Sequence, residues 1–282
     1  MAIGHDQTDD GPNAAPSNLV RVEVRERIGI LTLNNSKRRN CLSLEMLDGL
    51  ERGLNELSSS KDVHAIVLAA DGPVFCAGHD LKEMTAHRSD ADKGRSHYAE
   101  VMENCARVMQ MIVRSPKPVI AAVEGTATAA GCQLVASCDL AIASMDAKFC
   151  TPGVNIGLFC STPMVALSRN ISRKRAMEML LLGEMISSEE AQDFGLINRA
   201  VDGDAVFEEA FGMARKIALK SAATVAIGKE AFYAQIEMGL SDAYTYAADV
   251  MVRNMLTRDA EEGIGAFIEK RHPVWGSDRD DG

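Results

Sequence analysis

Apolar and polar residues alternate from Leu19 onward, and this alternation predicts a β-hairpin at the start of the folded chain. Valines occupy every second position from 20 to 24, and an apolar run from 28 to 33 follows a charged turn at 25–27. The preceding residues, 1–17, are polar, acidic and rich in turn formers. We therefore expect a disordered tail over 1–17 and a sheet that begins with the hairpin.

Helical spacing of apolar residues then alternates with short apolar runs that are typical of buried strands. Three helix and strand pairs follow one another: 43–57 with 65–69, 96–113 with 119–123, and 130–137 with 140–143. Strand, helix and strand in repetition predict βαβ crossovers. The fold class is therefore α/β with a mainly parallel sheet.

Beyond residue 162 the pattern is almost entirely helical. One strand at 196–200 interrupts a series of helices with apolar stripes: 164–170, 173–182, 188–194, 206–221, 222–235, 241–255 and 260–269. We divide the chain into the tail, an α/β core over 18–200 and a C-terminal helical region over 201–282. The stripes of that last region pack on one another or face a partner subunit.

Composition narrows the class of protein. The chain has 282 residues, of which 46% are hydrophobic and 25% charged, and its longest apolar runs are too short to cross a membrane. A net charge of −10 argues against nucleic acid as a partner. Seven cysteines without a C-x-x-C pair argue against a disulfide framework and against a metal site. The thiols and the polar, acidic N-terminus, which does not look like a targeting peptide, lead us to expect a cytoplasmic protein.

Two turns of small residues carry the strongest chemical signal. They lie in segments 75–84 (FCAGHDLKEM) and 123–134 (VEGTATAAGCQL). Each follows an apolar run and enters a helix-like segment. Small residues let a ligand approach the backbone, and the first turn of a helix has unpaired N–H groups. Two such turns can aim N–H groups at one oxygen, which is the composition of an oxyanion hole.

These turns resemble the signature segments of the enoyl-CoA hydratase/isomerase (crotonase) superfamily. The resemblance extends from about residue 19 to 275 and includes segments 39–43 (RNCLS), 147–149 (AKF) and 265–271 (GAFIEKR). Segments 129–139 and 153–163 look like one particular branch of the family. The resemblance implies a crotonase-like spiral of ββα units and C-terminal helices that form a homotrimer or a dimer of trimers. It also implies a coenzyme A thioester as substrate or ligand, with no permanently bound cofactor.

The resemblance assigns roles to individual residues. Backbone N–H groups of His79 and Ala130 would hold the thioester oxygen, and a positive φ at Ala130 would add strain because of its Cβ. Contacts with coenzyme A are implied for residues of three segments: Lys37, Arg38, Arg39, Cys41, Ala77, Asp80, Leu81, Phe267 and Lys270. Phe267 and Lys270 would contact the coenzyme A that is bound to their own subunit or to a neighbouring subunit. Without the family pattern, the basic cluster at 37–39 would be a solvated turn before a helix capped by Ser43.

The acids of a hydratase are missing. The two glutamates that act on water in relatives fall on Gln133 and Gly153, and no Asp or Glu occurs over 147–177 or between Glu124 and Asp139. Glutamine can hold a water molecule but cannot take up a proton near neutral pH. We expect weak hydratase activity or none, and extra room beside the thioester at Gly153. Ser161, which also does not ionise, falls at the aspartate position of dienoyl-CoA isomerases.

Two hypotheses of function remain. In one, the chain is an enzyme of acyl-CoA metabolism, nominally a hydratase, that acts as an isomerase or a thioesterase through a displaced acid or base. In the other, it is a carrier or sensor of acyl-CoA without turnover. The candidates for the displaced group are His79, His97, Tyr98, Glu100, Cys160 and Ser161, and for each of them packing or surface solvation is the simpler account.

Overall fold

The computed structural model describes residues 18–276. The predicted disordered tail, 1–17, lies outside the described residues. The strands are β1 (Val20–Arg25), β2 (Ile28–Leu33), β3 (Ala65–Ala70), β4 (Val74–Cys76), β5 (Val119–Val123), β6 (Thr126–Thr128), β7 (Leu140–Ser144), β8 (Lys148–Cys150), β9 (Ile186–Ser187) and β10 (Arg199–Val201). The helices are α1 (Leu44–Ser59), α2 (Leu81–Ala86), α3 (Arg95–Arg114), α4 (Ala130–Ser137), α5 (Pro163–Asn170), α6 (Arg173–Leu182), α7 (Ser188–Phe194), α8 (Val206–Ala218), α9 (Ala222–Gln235), α10 (Leu240–Met255) and α11 (Arg258–Glu269).

The main sheet has six strands in the order β1-β2-β3-β5-β7-β10. Only the β1 and β2 pair is antiparallel, and the other pairs are parallel. Glu26 and Arg27 form the hairpin turn with φ values of 52° and 63°, as a two-residue turn between twisted strands requires. The predicted hairpin and the mainly parallel α/β sheet are therefore confirmed.

Helices cover both faces of the main sheet. Ile66 and Leu68 of β3 pack into the larger apolar core, which also contains the buried faces of α1, α3 and α4. Ala65 and Val67 point to the other face, which α8 covers. Residues on both faces are apolar because a parallel sheet is buried on both sides. The boundary placed between residues 200 and 201 stays a prediction, although α8 packs directly on the core sheet.

A second sheet of four strands was not predicted. Its order is β4-β6-β8-β9, and β4, β6 and β8 run parallel. Each of its strands has only two or three residues, which is too short for apolar alternation to be recognised. The two sheets with their helices form the predicted crotonase-like spiral of ββα units, and the predicted C-terminal helices follow it.

A buried ion pair fastens α9 to the α/β core. Lys229 Nζ donates to Asp139 Oδ2 at 2.7 Å and to the carbonyls of Ile112 and Lys117 at 2.9 and 3.0 Å. Tyr233 donates its hydroxyl to Asp139 Oδ1 at 2.9 Å. Burial lowers the pKa of Lys229, and Asp139 opposes that effect. The ammonium group is fully hydrogen-bonded, so this contact is structural.

Two further classes of feature are absent from residues 18–276. Within that range, no helix is both long enough and apolar enough to cross a membrane. No cluster of three or more histidine, cysteine or acidic side chains among these residues could hold a metal ion.

Candidate functional site

The two small-residue turns meet at the ends of adjacent strands. The first follows β4 and the second follows β6, and these strands are parallel, with Cys76 beside Ala127. Thr128 donates its hydroxyl to the Ala77 carbonyl at 3.0 Å. A Cβ on Gly78 would stand only 3.3 Å from the Ala130 nitrogen. The carboxyl ends of parallel strands are where open α/β sheets bind ligands, so the location suits a binding site.

The N–H group of His79 is directed away from the neighbouring chain segment. His79 forms an isolated parallel bridge with Leu42. The bonds of this bridge run from the Leu42 N–H to the Gly78 carbonyl at 2.8 Å and from the Asp80 N–H to the Leu42 carbonyl at 3.3 Å. In a parallel pair the residue between the bonded neighbours points its own N–H the other way. Within residues 18–276 this N–H has no hydrogen-bond partner.

The N–H group of Ala130 is unpaired because Ala130 is the first residue of α4. On either side of it, the Ala129 N–H bonds to the Cys150 carbonyl at 2.9 Å and the Gln133 N–H bonds to the Ala129 carbonyl at 3.0 Å. The helix dipole adds partial positive charge at this end. The structure therefore brings the two predicted donors together, each without a partner in the described chain.

The strained backbone position is Ala129, one residue earlier than expected. Ala129 has φ 50° and ψ −118°, a conformation that glycine favours, whereas Ala130 is absent from the residues with positive φ. The condition for strain at Ala130, a positive φ at that residue, is therefore not met. A Cβ at such a position costs about 1–3 kcal/mol.

Gln133 and His79 each carry a buried polar atom that lacks a partner. Gln133 is 4% exposed, and neither its Oε1 nor His79 Nε2 has a hydrogen-bond partner among residues 18–276. Burial lowers the pKa of His79 to about 4, so its imidazole is neutral at pH 7. Buried polar groups are nearly always paired, so orphaned ones indicate a ligand or water.

Gly153 leaves no extra room, and that expectation is wrong. A Cβ at Gly153 would stand 2.9 Å from both the Leu158 carbonyl oxygen and Cys160 Sγ. Backbone and thiol thus fill the space that a larger side chain would enter. Burial raises the pKa of the Cys160 thiol, and it raises that of Cys150 to about 11. These thiols are protonated at neutral pH and are poor nucleophiles.

Asp80 joins the basic turn to the first small-residue turn. Its Oδ2 lies 2.6 Å from an Nη of Arg38 and accepts the Cys41 thiol at 3.2 Å. Its Oδ1 accepts the N–H groups of Lys82 and Glu83 at the start of α2. Burial opposes ionisation of Asp80, but these hydrogen bonds and Arg38 outweigh it and lower the pKa.

The other predicted contacts of the basic turn differ in their surroundings. Lys37 and Arg39 are exposed and make no ion pair with residues 18–276. Cys41 is buried, and its burial and Asp80 raise the pKa of its thiol to about 12. Ala77 donates its N–H to the Arg39 carbonyl at 3.1 Å, and Leu81 is half-exposed. Together these contacts place 37–41 directly beside the first turn.

Phe267 and Lys270 lie on the surface of the helical region. Phe267 is 84% exposed, and Lys270 is exposed at the end of α11. That helix packs mainly on α9 and α10. The described residues give neither side chain a contact with the two turns.

The candidates for a displaced acid or base differ in their exposure. Glu100 and Ser161 are exposed, while His97 is 8% exposed with an unpartnered Nε2. Sequence reasoning missed Glu83, whose Oε1 lies 3.9 Å from His97 Nε2. The sequence signal that could have identified Glu83 is its position three residues after Asp80, in the first turn of α2.

Comparisons with known proteins give a consistent result. A family model described as enoyl-CoA hydratase/isomerase matches residues 23–278. The mitochondrial enoyl-CoA hydratase domain-containing protein 3 of Rattus norvegicus is 48% identical over 265 residues, which are 94% of this chain and 86% of that protein. Its counterpart in Homo sapiens is 49% identical over 245 residues, which are 87% and 79% of the two chains.

Solved structures agree with the sequence matches. A structure titled enoyl-CoA hydratase of Mycobacterium smegmatis is 48% identical with a TM-score of 0.86, and the match covers 91% of this chain and 98% of that one. Human enoyl-CoA hydratase domain-containing protein 3 is 47% identical with a TM-score of 0.86 over 91% and 100% of the chains. The predicted family resemblance is confirmed, and so is the branch indicated by segments 129–139 and 153–163.

The expected cytoplasmic location is wrong. The rat and human relatives are both named as mitochondrial proteins. The expectation relied partly on unpaired cysteines. Thiol content distinguishes an oxidising compartment from a reducing one, but it does not distinguish between two reducing compartments.

Proposed function

The chain belongs to the enoyl-CoA hydratase/isomerase family, and on this basis we propose that it binds acyl-CoA thioesters. The thioester oxygen accepts hydrogen bonds from the N–H groups of His79 and Ala130. One observation carries the proposal: both N–H groups are unpaired within residues 18–276, and they lie on two turns that contact each other. Preorganised donors of this kind stabilise negative charge on a carbonyl oxygen.

The coenzyme A end of the ligand binds at the basic turn. Lys37 and Arg39 are free to contact phosphates, and Arg38 is oriented by Asp80 at 2.6 Å. The Ala77 N–H bond to the Arg39 carbonyl links this turn to the donor of the first small-residue turn. The nucleotide and the thioester therefore bind at neighbouring segments.

Hydration by this site is weak or absent. Neither Gln133 nor Gly153 can exchange a proton, and each lost acid or base reduces the rate by about 10²- to 10⁴-fold. The missing acids also support the second candidate function, which is an acyl-CoA carrier or sensor without turnover. No cofactor other than the coenzyme A of the ligand is part of either proposal.

The active assembly is a homotrimer or a dimer of trimers. Large apolar side chains are exposed on the C-terminal helices, including Leu240 at 78%, Leu256 at 82% and Phe267 at 84%. An exposed apolar surface of this kind marks an interaction site. Association would also let Phe267 and Lys270 of one copy reach the ligand of another. Light scattering coupled to gel filtration tests the assembly, and a monomer at micromolar concentration would contradict it.

Calorimetry with two ligands tests the binding proposal. Butyryl-CoA contains the thioester carbonyl, and S-butyl-CoA replaces it with a methylene group. We expect butyryl-CoA to bind at least about tenfold tighter, because two hydrogen bonds are worth about 1 kcal/mol each. Equal affinities would rule out the oxyanion hole, and absence of binding would refute the whole proposal.

Charge variants test the basic turn with the same ligands. Lys37→Ala and Arg39→Ala should each lower the affinity for the two ligands by the same factor, since the two ligands carry the same phosphates. Lys174→Ala, an exposed lysine of α6, is the matched control and should leave both affinities unchanged.

A further inference from the structure

An apolar cavity lies at the end of the main sheet that is opposite the proposed acyl-CoA site. Pro118 and Leu140 line it from the starts of β5 and β7, and most of its other lining residues belong to α8 and α9. These two strands run parallel to β2, and the basic turn follows the carboxyl end of β2. The cavity and the basic turn are therefore separated by the length of a strand, about 15 Å.

The cavity has the size and the apolar lining of a small-molecule site. Its volume is about 490 Å³, and such sites range from about 300 to 1,000 Å³. Ile217 and Phe232 contribute apolar side chains, and Phe232 is 55% exposed. The polar groups of Lys229 and Tyr233 in the lining both bond to Asp139. An apolar ligand therefore suits this space, because these polar groups already satisfy one another.

Gly228 keeps the cavity open from the middle of α9. A Cβ on Gly228 would meet no atom of another segment within 4 Å, so no close approach requires a glycine there. Glycine inside a helix is about 1 kcal/mol less stable than alanine. A larger side chain at this position would occupy the cavity. The helix thus gives up stability where a side chain would fill the space, as expected if that space holds a ligand.

Two lysines make the cavity attractive to an anion, although the whole chain has a net charge of −10. Lys216 and Lys220 are exposed lining residues, and neither makes an ion pair within residues 18–276. A second cavity of about 760 Å³ shares Lys220 with the first, and it is also lined by Arg215. Glu26 pairs with that arginine at 2.8 Å. The ammonium group of Lys220 therefore stands unpaired where the two cavities meet, and it can attract an anion.

We propose that the apolar cavity binds a fatty acid, with the hydrocarbon chain against Ile217, Val225 and Phe232 and the carboxylate at Lys216 and Lys220. Apolar volume beside unpaired cations suits a single-chain amphiphile with an anionic head group. The site is distinct from the proposed acyl-CoA site and does not depend on it, since the two lie at opposite ends of the main sheet. No bond forms or breaks, so this is a binding site and not a second active site.

The single tryptophan of the chain provides a signal for this binding. Trp275 lines the second cavity together with Lys220, and its Nε1 donates to the Leu219 carbonyl at 2.9 Å. Leu219 directly precedes Lys220. A carboxylate held at Lys220 changes the surroundings of the indole, so we expect tryptophan fluorescence to change as the site fills.

The test titrates laurate, below its critical micelle concentration, into the protein with and without saturating butyryl-CoA. Calorimetry should show one laurate bound per chain, with the same affinity in both titrations. Dodecyltrimethylammonium has a chain of the same length and the opposite charge. It should bind at least about tenfold more weakly, because its head group is repelled by the lysines.

Two variants test the two parts of the site. Gly228→Leu should fill the cavity and lower laurate affinity by about tenfold or more, because the chain loses buried apolar contact. Gly212→Leu is the matched control, since Gly212 is also helical, has open space at its Cβ position and lines neither cavity. Lys220→Glu should lower laurate affinity by about tenfold, whereas Lys174→Glu on α6 should leave it unchanged.

Thermal melts check that each variant is folded, and Gly228→Met replaces Gly228→Leu if the latter does not fold. Absence of laurate binding would overturn the inference, as would equal affinities for laurate and the cationic amphiphile or for wild type and the folded Gly228 variant. Competition between laurate and butyryl-CoA would also overturn it, because laurate would then occupy the acyl-CoA site. Failure of butyryl-CoA to bind would instead refute the proposed function, and the laurate titrations without it would still decide this inference.

Discussion

The Ala129 methyl carbon lies 2.9 Å from the point that a Cβ on Gly78 would occupy. Both residues have positive φ, +88° at Gly78 and 50° at Ala129. The two turns that carry the oxyanion donors thus pack so closely that only one of these positions has room for a methyl group. The contact sets the separation of the segments that end in His79 and Ala130.

Substitutions at Gly78 and Ala129, made singly and together, should show that these two positions are in contact. We expect Ala129→Gly to raise the free energy of unfolding by about 1 kcal/mol, because relief of strain exceeds the added freedom of the unfolded chain. That corresponds to a rise in Tm of about 2–4 °C. Gly78→Ala should lower stability by about 2 kcal/mol or more, and adding Ala129→Gly should restore part of the loss. Strict additivity in this double-mutant cycle would show that the two positions do not interact.

Restoring the acids should succeed at only one of the two positions. Gln133→Glu keeps the shape of the side chain and should increase crotonyl-CoA hydration by about 10-fold or more. Gly153→Glu should instead destabilise the fold by about 2 kcal/mol or more, because its Cβ would stand 2.9 Å from the Leu158 carbonyl oxygen. Adding Cys160→Ala should recover little, since that backbone carbonyl remains. Hydration rates and denaturant titrations measure both effects, and a stable, active Gly153→Glu would contradict this steric account.

Removing one member of the buried ion pair should loosen the C-terminal helices. Lys229→Met leaves the 15%-exposed Asp139 carboxylate without its counter-ion, and we expect a loss of about 3–5 kcal/mol in the free energy of unfolding. Tyr233→Phe removes one neutral donor and should cost about 1 kcal/mol. Hydrogen exchange should show greater loss of protection in α9 than in β5. Equal stability of Lys229→Met and wild type would mean that the ion pair does not stabilise the packing of α9 on the core.

Stability should rise with pH between about 4 and 6.5 because of His79. Its pKa is about 4 in the folded chain and 6.5 in the unfolded one. Between these values the unfolded chain binds a proton that the folded chain does not, so acid favours unfolding, and above pH 6.5 this group has no effect. The full effect is about 3 kcal/mol. Asp80, whose pKa is lowered below 3.8, contributes only at more acidic pH.

Urea titrations across this pH range measure the effect. His79→Gln should flatten the slope between pH 4.5 and 6.5, while His272→Gln, at an exposed position, should not. An unchanged slope in His79→Gln would show that its imidazole is not held neutral by burial.

Local sequence was sufficient for most of the fold. Alternating valines predicted the β1 and β2 hairpin, and helix and strand spacing predicted a mainly parallel sheet, because apolar periodicity is a property of neighbouring residues. The small sheet was missed since its strands are too short to show a period. That sheet matters most for the site, because β4 and β6 bring the two turns together.

The chemistry of the site divides in the same way. The two donor turns can be read from residue types in order along the chain, and the family resemblance then implies that the usual carboxylates are absent at Gln133 and Gly153. Three facts can be known only from the folded structure. They are the positive φ at Ala129, the ion pair between Asp80 and Arg38, and the occupation by Leu158 and Cys160 of the space beside Gly153. Each depends on backbone angles or on contacts between separate segments. Residue identity determined which groups could react, and tertiary packing determined where they stand and whether space remains beside them.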